Sequence, residues 1–392
     1  MAHNEFPVKL ISFSNRTKED RKLLNAFVGF PWELYRGDPH FIPLFDFEYL
    51  GLKILGIKGY YQPDNLFYRH ADIRFFLAFR EGKAVGRCIA FKNDAHNRYW
   101  RDRVGFFGEF ESINEKEVSD KLIDAAASWL KSKGMDTIRG PQNLLVNEST
   151  PGLLTSGFDS RPVVHYHYNK PYYRALIEAA GFREIRKVFS WEVPVMNPME
   201  ERLEQVAKKV IKRYGITLEP WSQRPYRERR REMLDIYNDA WSENFGFVPF
   251  TEEEWYEIID DMKLIMDKGL SLFVYVKGEP AAFFGGIPNI AEKMAPGTLF
   301  RRFELLRIAK MFLLRKSVKG FRLGYLGVKK KFQRLGLDGV MLWKQKQYTQ
   351  KKGYEYCDIG WILEENVITQ RMAAFMNSTL SKVYTIFEKP IE

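Results

Sequence analysis

The alternation of hydrophobic and polar residues predicts strands and helices in a mixed order in the first half of the chain. Two β-rich runs, 73–79 and 84–92, flank the polar turn Arg80-Glu81-Gly82-Lys83, which is typical of a β-hairpin. Apolar residues recur every three or four positions over 117–131, which predicts a helix with Asn114 as its cap. The other elements predicted here are strands 104–110, 137–138 and 184–193 and helix 172–180.

The second half repeats this order, which indicates a remote internal duplication. A hairpin is predicted around Lys277-Gly278-Glu279, and a break in regular structure at Pro194–Pro198 suggests domains 1–195 and 196–392. The predicted helices are 199–214, 227–241, 251–267, 339–351 and 367–380, and the predicted strands are 216–220, 272–276, 280–286, 321–328, 356–362 and 382–388. Both halves are therefore expected to be mixed α/β.

Composition narrows the class of protein. With 392 residues, 45% of them hydrophobic, the chain has material for two packed domains, which excludes a disordered protein. Two cysteines, Cys88 and Cys357, exclude a disulfide framework and a cysteine-rich zinc site. The sequence shows neither a secretory signal pattern nor a long apolar span, so we expect a cytoplasmic protein.

Positive charge is concentrated in one segment. The net charge of the chain is +11, but residues 301–352 contain sixteen Lys/Arg against two acidic residues. This segment therefore carries +14 and the remainder −3. An anionic partner is expected to bind there rather than over the whole surface.

The sequence Leu326–Gly339 combines a strand end, a basic turn and a helix start. A helix start offers unpaired N–H groups and the positive end of the macrodipole, and glycine allows a phosphate to approach the backbone closely. The pattern predicts a phosphate or pyrophosphate site. A glycine-containing turn with a solvated basic face is the alternative.

This segment resembles the pyrophosphate loop of the Gcn5-related N-acetyltransferase (GNAT) superfamily, Val-x-x-x-x-(Arg/Gln)-x-x-Gly-x-(Gly/Ala). Val328, Gln333 and Gly336 match in register, whereas Asp338 stands where a small residue is expected. The order of elements over roughly 215–392 is also similar. The resemblance implies two tandem GNAT-like domains, each with a mixed, mostly antiparallel sheet flanked by helices.

The resemblance further implies an acyl-CoA-dependent N-acyltransferase, with acetyl-CoA or a longer acyl-CoA as donor, acting directly on an unidentified small-molecule or peptide amine. Backbone N–H groups of the loop would hold the pyrophosphate, and Asn366 would face the coenzyme arm. The implied cofactor-binding residues are Val328, Gln333, Arg334, Leu335, Gly336, Leu337, Asp338, Gly339 and Asn366.

Catalytic residues are harder to assign. All six histidines precede residue 168, so a general base in the second half must be a carboxylate or water, and Glu364 is our candidate. In the family, a tyrosine often protonates the leaving thiolate. Ala373 occupies that position here, so Tyr384 is the candidate acid. Cys357 is expected to be a core residue rather than a nucleophile.

The first half resembles the same fold without a coenzyme site. Four acidic residues, Glu109, Glu111, Glu115 and Glu117, are expected around its helix start, where they would repel a pyrophosphate. We therefore predict a non-catalytic domain that contributes at most to the acceptor site.

Several segments are candidates for acceptor binding. Trp241, Asn244 and Trp361 are the predicted substrate contacts. The long loop 141–173 is either a binding loop or structural, and its His165 and His167 are expected to alternate on a strand without a third metal ligand, so no metal site is predicted.

The basic, apolar insertion 299–318 admits three interpretations: a structural helix, a lid, or a helix on an anionic membrane surface. Two other functions remain open for the chain. One is a Fem-type aminoacyl-tRNA-dependent transferase, for which the basic segment would bind tRNA; the other is a catalytically silent GNAT-fold binding protein.

Overall fold

A computed structural model describes residues 6–42, 45–52, 56–144, 150–198, 201–263, 265–294 and 303–392. The chain forms two compact units. Unit 1 comprises Met1–Val188, Ala295–Ile308 and Lys382–Glu392, and unit 2 comprises Phe189–Met294 and Ala309–Ser381. The first change of unit, after Val188, lies a few residues before the predicted break at Pro194–Pro198.

Unit 1 contains most of the first half of the chain. Its elements are β1 (Lys9–Phe13), α1 (Lys18–Leu34), α2 (Asp46–Leu50), β2 (Ala71–Arg80), β3 (Lys83–Asn93), α3 (Asp94–Trp100), β4 (Val104–Ser112), α4 (Lys116–Ser132), β5 (Thr137–Gly140), β6 (Leu153–Ser156), α5 (Tyr173–Ala179) and the start of β7 (Arg183–Pro194).

Unit 2 contains most of the second half. The elements that follow β7 in the chain are α6 (Glu201–Tyr214), β8 (Ile216–Pro220), α7 (Tyr226–Ala240), α8 (Glu252–Met262), β9 (Ser271–Val276), β10 (Glu279–Pro288), α9 (Glu304–Leu314), β11 (Gly320–Val328), α10 (Leu337–Lys352), β12 (Tyr356–Leu363), α11 (Val367–Phe375) and β13 (Thr379–Pro390). Helix α9 begins in unit 1, and β13 from Lys382 onward belongs to unit 1.

The two units have the same strand pattern, which confirms the predicted mixed, mostly antiparallel sheets. In unit 1, β1, β2, β3 and β4 are successive antiparallel neighbours and β5 is parallel to β4. In unit 2, β8, β9, β10 and β11 are antiparallel neighbours and β12 is parallel to β11. Strand β13 completes unit 1 by pairing with β5 and β6.

One long helix packs on each sheet through its apolar stripe. Helix α4 buries Leu122 and Leu130, which lie directly over strand glycines of the sheet in unit 1. Helix α10 buries Leu337 and Met341 in the core of unit 2. In both units, the removal of these side chains from water supplies the main stabilisation of the helix.

Some boundaries differ from the predictions. Helix α4 has Glu115 rather than Asn114 at its N-cap, without a side-chain cap hydrogen bond. Helices α8 and α11 end at Met262 and Phe375, earlier than predicted. After α11, Asn377 adopts a left-handed φ of 56°, which is incompatible with a continuing helix.

Candidate functional site

Strands β11 and β12 run parallel and then separate. Their paired register covers Gly320–Leu323 on β11 and Tyr356–Ile359 on β12. Both strands continue, to Val328 and Leu363, but no further pairing between them occurs in the described part of the chain. The separation leaves a wedge-shaped cleft in the sheet, where backbone groups of both strands need another partner.

A bulge in β11 accompanies this separation. The register with β10 shifts between Gly285 and Gly286, so that Gly324 of β11 is an extra residue. A bulge bends its strand and increases the local twist. At the base of the cleft, the buried Arg322 donates from Nε to the carbonyl oxygen of Gly360 at 3.2 Å, which joins the two strands where their ladder ends.

Residues 329–336 connect the cleft to helix α10. Gly336 is the N-cap with φ 77°, a conformation that favours glycine, and its carbonyl accepts the hydrogen bond of Val340 N–H at 3.2 Å. The N–H groups of Leu337–Gly339 therefore lie in the first turn, ahead of the helical hydrogen bonds. Together with the helix dipole they form a site suited to a phosphate group.

The lysines of this loop are bound to acidic side chains of unit 2 rather than free for a phosphate. The ion pairs are Lys329 with Asp235, Lys330 with Glu243 and Lys331 with Glu279. Arg334 differs from them: it is exposed, and it makes no ion pair with any residue described. The neighbouring Gln333 is also exposed. Three of the four cations in residues 329–336 are thus neutralised locally.

Asp338 lies in the first turn of α10, where the N-cap Gly336 has no side chain to cap the helix. A carboxylate at this position is stabilised by the helix dipole. It also reduces the positive potential at the proposed phosphate site. Asp338, which stands where the family pattern has a small residue, is therefore expected to weaken the binding of an anion there.

Two candidate residues lie between β12 and α11. Glu364 is exposed and follows directly after β12; its carbonyl accepts a hydrogen bond from Gln370 Nε2 at 2.8 Å. Asn366 is the N-cap of α11, and its Oδ1 accepts from Thr369 N–H at 3.2 Å. The cap uses the oxygen of the Asn366 amide, and the NH2 end remains available to donate to a ligand. Ala373 is fully buried in the core of unit 2.

Tyr384 lies in β13, in the part of that strand that belongs to unit 1. It is fully buried, and its hydroxyl donates to the carbonyl oxygen of His167 at 2.8 Å. Its proton is therefore engaged by the backbone of the loop that precedes α5.

The three predicted substrate contacts have different surroundings. Trp241 ends α7 and stacks on Tyr237 with ring centroids 4.7 Å apart. A Cβ added at Gly327 would lie 2.3 Å from the Trp241 ring, so this ring packs directly against the end of β11. Asn244 lies in the turn after α7, and Trp361 is a half-buried residue of β12 just beyond the paired register.

Cys357 lines an apolar pocket between α10 and the paired parts of β11 and β12. Burial raises the pKa of its thiol well above the ordinary value. This thiol is a core group, as predicted, because a low-pKa thiolate needs a positive and accessible environment.

Unit 1 lacks the open cleft. Strands β4 and β5 pair only over Val104–Phe106 and Thr137–Arg139, but the chain after β5 turns back to β4. Gln142 N–H donates to the carbonyl oxygen of Phe107 at 2.7 Å, and Asn143 Oδ1 accepts from Glu109 N–H at 2.8 Å. These bonds close the gap between β4 and β5, whereas the corresponding gap between β11 and β12 in unit 2 stays open.

Unit 1 instead contains a cavity of about 120 Å³ lined by buried charged residues and aromatic rings. Glu109 and Glu111 face it from within β4, so their expected position around the helix start was wrong; only Glu115 and Glu117 lie there. The guanidinium of Arg87 is 2.7 Å from Glu109 Oε2. Charged residues inside otherwise apolar strands were the sequence signal that could have located this cavity.

His165 and His167 also line the cavity, but they lie outside any strand, and His165 has a φ of 66°. Their expected alternation on a strand was therefore wrong. The residues that the structure describes contain no group of three or more His, Cys, Asp or Glu arranged to hold a metal ion. None of the described helices combines the length and apolar character that crossing a membrane requires.

The basic insertion is described from Phe303 onward; Phe300, Arg301 and Arg302 lie outside the described residues. Its first turn packs in unit 1, where Arg307 is buried over the rings of Trp32, at 4.9 Å, and Phe45, at 4.7 Å. Burial lowers the pKa of Arg307. This arginine therefore packs rather than faces water.

Comparison with solved structures supports the same fold over the whole chain. A tandem GNAT protein from the clavulanic acid biosynthesis pathway superposes with a TM-score of 0.57, covering 98% of this chain and 99% of that one, at 9% identity. No family model matches the sequence. The repeated element order and this likeness define the chain as a tandem GNAT-fold protein.

Two curated proteins match along almost their full length. The bacterial ceramide synthase of Caulobacter vibrioides (strain NA1000 / CB15N) is 31% identical over 382 residues, covering 94% of this chain and 95% of that protein. Protein YghO of Escherichia coli (strain K12) is 29% identical over 391 residues, covering 96% and 95%. The chain belongs to the family of the Caulobacter protein.

Proposed function

We propose that this protein is an acyl-CoA-dependent N-acyltransferase whose donor binds in the β11–β12 cleft of unit 2. The observation that carries the proposal is the open cleft leading to the unpaired N–H groups of Leu337–Gly339. A coenzyme A molecule combines a pyrophosphate with an extended amide-containing arm. The helix start suits the first and the unpaired strand edges suit the second.

The residues around the loop fit this ligand. Gly336 supplies the turn, the exposed Arg334 supplies a cation, and the NH2 end of Asn366 supplies a donor for the arm. Asp338 weakens the phosphate site without removing its N–H groups.

The acceptor in this proposal is an amino alcohol with a long apolar chain. Support comes from the name of the relative, since a ceramide is the N-acyl derivative of such an amine. The amine nitrogen attacks the thioester carbon; the C–N bond forms as the C–S bond breaks. The ammonium proton passes to a base, for which Glu364 is the candidate, and the thiolate takes up a proton.

Binding of the donor is tested by calorimetry with coenzyme A, acetyl-CoA and palmitoyl-CoA. Arg334→Glu reverses the one loop cation without a described ion pair, and we expect at least tenfold weaker binding. Lys344→Glu, a charge reversal at an exposed position further along α10, is the matched control and should leave affinity within about twofold.

The competing functions give different results. A tRNA-dependent transferase would bind tRNA and not coenzyme A, and the ion-paired state of Lys329–Lys331 argues against that outcome. A silent binding protein would bind the donor but release no free thiol in the presence of long-chain amino alcohols. Absence of coenzyme A binding would refute the proposed function.

A further inference from the structure

The cavity of unit 1 has the composition of a binding site, although its half of the fold has no open strand cleft. Three carboxylates line it, Glu48, Glu109 and Glu111, against the single guanidinium of Arg87. The lining is therefore negative overall when the carboxylates are ionised. Charged side chains are rarely buried without a partner or a function, because removing them from water is costly.

Arg87 and Glu109 largely satisfy each other. Their side chains are only 4% and 7% exposed, and the guanidinium also donates to the carbonyl oxygen of Phe27 at 2.9 Å. The guanidinium packs over the Phe27 ring at 4.7 Å. This pair therefore contributes little net charge, which leaves Glu111 as the distinctive group.

Glu111 uses only one of its two oxygens within the protein. The hydroxyls of Tyr35 and Tyr173 both donate to Oε2, at 2.7 Å and 2.6 Å. No described residue donates a hydrogen bond to Oε1, although the side chain is buried. The Glu111 carboxylate lines the cavity and one of its oxygens has no protein donor, so it is suited to a ligand that brings its own N–H group.

A second polar group in the same cavity is also incompletely satisfied. Tyr61 is fully buried, and burial together with the neighbouring Glu109 carboxylate raises the pKa of its phenol. The hydroxyl has no partner with full hydrogen-bond geometry among the residues described. Its ring stacks on Tyr49 at 4.9 Å, and both rings line the cavity. Aromatic faces next to carboxylates are the combination that binds organic ammonium groups, through cation–π attraction and charged hydrogen bonds.

The wall of the cavity is fixed by the first turn of α9. Trp32 lines the cavity and lies under the guanidinium of Arg307. Glu304 in the same turn accepts a hydrogen bond from Phe47 N–H at 3.1 Å, which ties α9 to α2. This part of the basic insertion therefore supports the cavity.

We propose that the unit 1 cavity binds an organic ammonium group, with Glu111 as its charged partner and the tyrosine rings as its walls. This ammonium site does not depend on the proposed function.

The first experiment measures binding to the full chain without coenzyme A, at a pH above 8, where Glu111 is ionised. 2-Phenylethylamine is titrated by calorimetry beside 2-phenylethanol, which has a similar shape but no charge. We expect the amine to bind at least tenfold more tightly than the alcohol. Equal binding of the two, or no binding of either, would overturn the proposal.

Two substitutions localise the effect. Glu111→Gln keeps an oxygen for both tyrosine hydroxyls but removes the charge, and should weaken amine binding at least tenfold. Tyr61→Phe removes a hydroxyl that lies beside Glu109 without full hydrogen-bond geometry to it, so a weaker amine affinity with unchanged melting temperature indicates contact with the ligand. Glu178→Gln, an exposed carboxylate on α5, is the control. Unchanged amine affinity in Glu111→Gln contradicts the proposal.

The ammonium site and the proposed function can fail independently of each other. A protein that binds 2-phenylethylamine through Glu111 but does not bind coenzyme A would refute the N-acyltransferase and retain the ammonium site.

Discussion

The two halves of this protein share one strand order but differ at one gap, which lies between β4 and β5 in unit 1 and between β11 and β12 in unit 2. In unit 2, β11 and β12 separate into an open cleft followed by the long connection 329–336. In unit 1, residues 141–143 close the equivalent gap, and only 113–115 connect β4 to α4. The fold therefore provides the position of a donor site in both halves, but local backbone bonding leaves it open in one.

The charged side chains around the two gaps also differ in how deeply they are buried. Unit 1 buries an ion pair and a carboxylate around a cavity, whereas the loop lysines of unit 2 pair with acidic residues near the surface. Buried charge requires pre-arranged partners and is therefore costly to disturb, while surface pairs contribute little. Unit 2 also buries an arginine, Arg229, paired with Glu219 and Glu232, so the contrast holds for the surroundings of the two gaps and not for the units as a whole.

The largest expected effect on stability comes from breaking the buried ion pair of Arg87 and Glu109 in unit 1. Glu109→Ala leaves Arg87 buried without its partner, and should cost about 3–5 kcal/mol. We expect a much lower melting temperature and faster hydrogen exchange in β3 and β4. The surface counterpart Glu243→Ala, which removes the ion pair with Lys330, should leave the melting temperature within error. Similar losses of melting temperature in the two variants would show that the buried pair and the surface pair contribute equally to stability.

The second effect depends on pH. Burial raises the pKa of Glu111 to about 7 from 4.5. The groups facing it are Arg87 on β3, Glu109 on β4, Tyr173 on α5 and Tyr35 after α1. The folded protein therefore keeps this proton between pH 4.5 and 7 while the unfolded chain has lost it.

Stability from this group should accordingly be present below pH 4.5 and decline as the pH rises to 7, by roughly 3 kcal/mol. Chemical denaturation across this range, compared with Glu111→Gln, isolates the effect, since the amide does not titrate. Parallel pH profiles for the two proteins would show that Glu111 is not responsible.

The third effect tests the closed and open gaps directly. A Cβ at Gly108 in β4 would lie 1.9 Å from the carbonyl oxygen of Gln142, a backbone atom that cannot move alone. Gly108→Ala should therefore cost about 1–3 kcal/mol or more. At Gly324 in β11, the nearest atoms belong to the Arg322 side chain at 3.9 Å, an ordinary van der Waals distance, so Gly324→Ala should be nearly neutral. Equal changes in melting temperature would mean that the two gaps are filled alike.

The smallest effect concerns the helix starts. Asp338→Asn should lower stability by about 0.3–1 kcal/mol through loss of the dipole interaction, yet raise coenzyme A affinity a few-fold by removing a negative charge. Glu117→Gln, in the first turn of α4, should lower stability similarly without changing that affinity. Calorimetric titration and thermal melts separate the two quantities.

The sequence alone determined the repeated order of elements. The hairpins at Arg80–Lys83 and Lys277–Glu279, the stripe of α4 and the strand–loop–helix at Val328–Leu337 all depend on local periodicity and turn chemistry. These features are short-range, so the sequence displays them directly. The same holds for the resemblance to the GNAT superfamily, which the tandem GNAT fold confirms.

Tertiary structure decided what the charged residues do. The sequence predicted Glu109 and Glu111 near a helix start, but strand pairing makes both side chains face a cavity. There they lie beside Arg87, which belongs to the neighbouring strand β3. It also could not show that Asp235 and Glu243 bind Lys329 and Lys330, or that residues after β5 close one gap and not the other. These outcomes depend on groups far apart in the chain, whose meeting is set by packing rather than by local pattern.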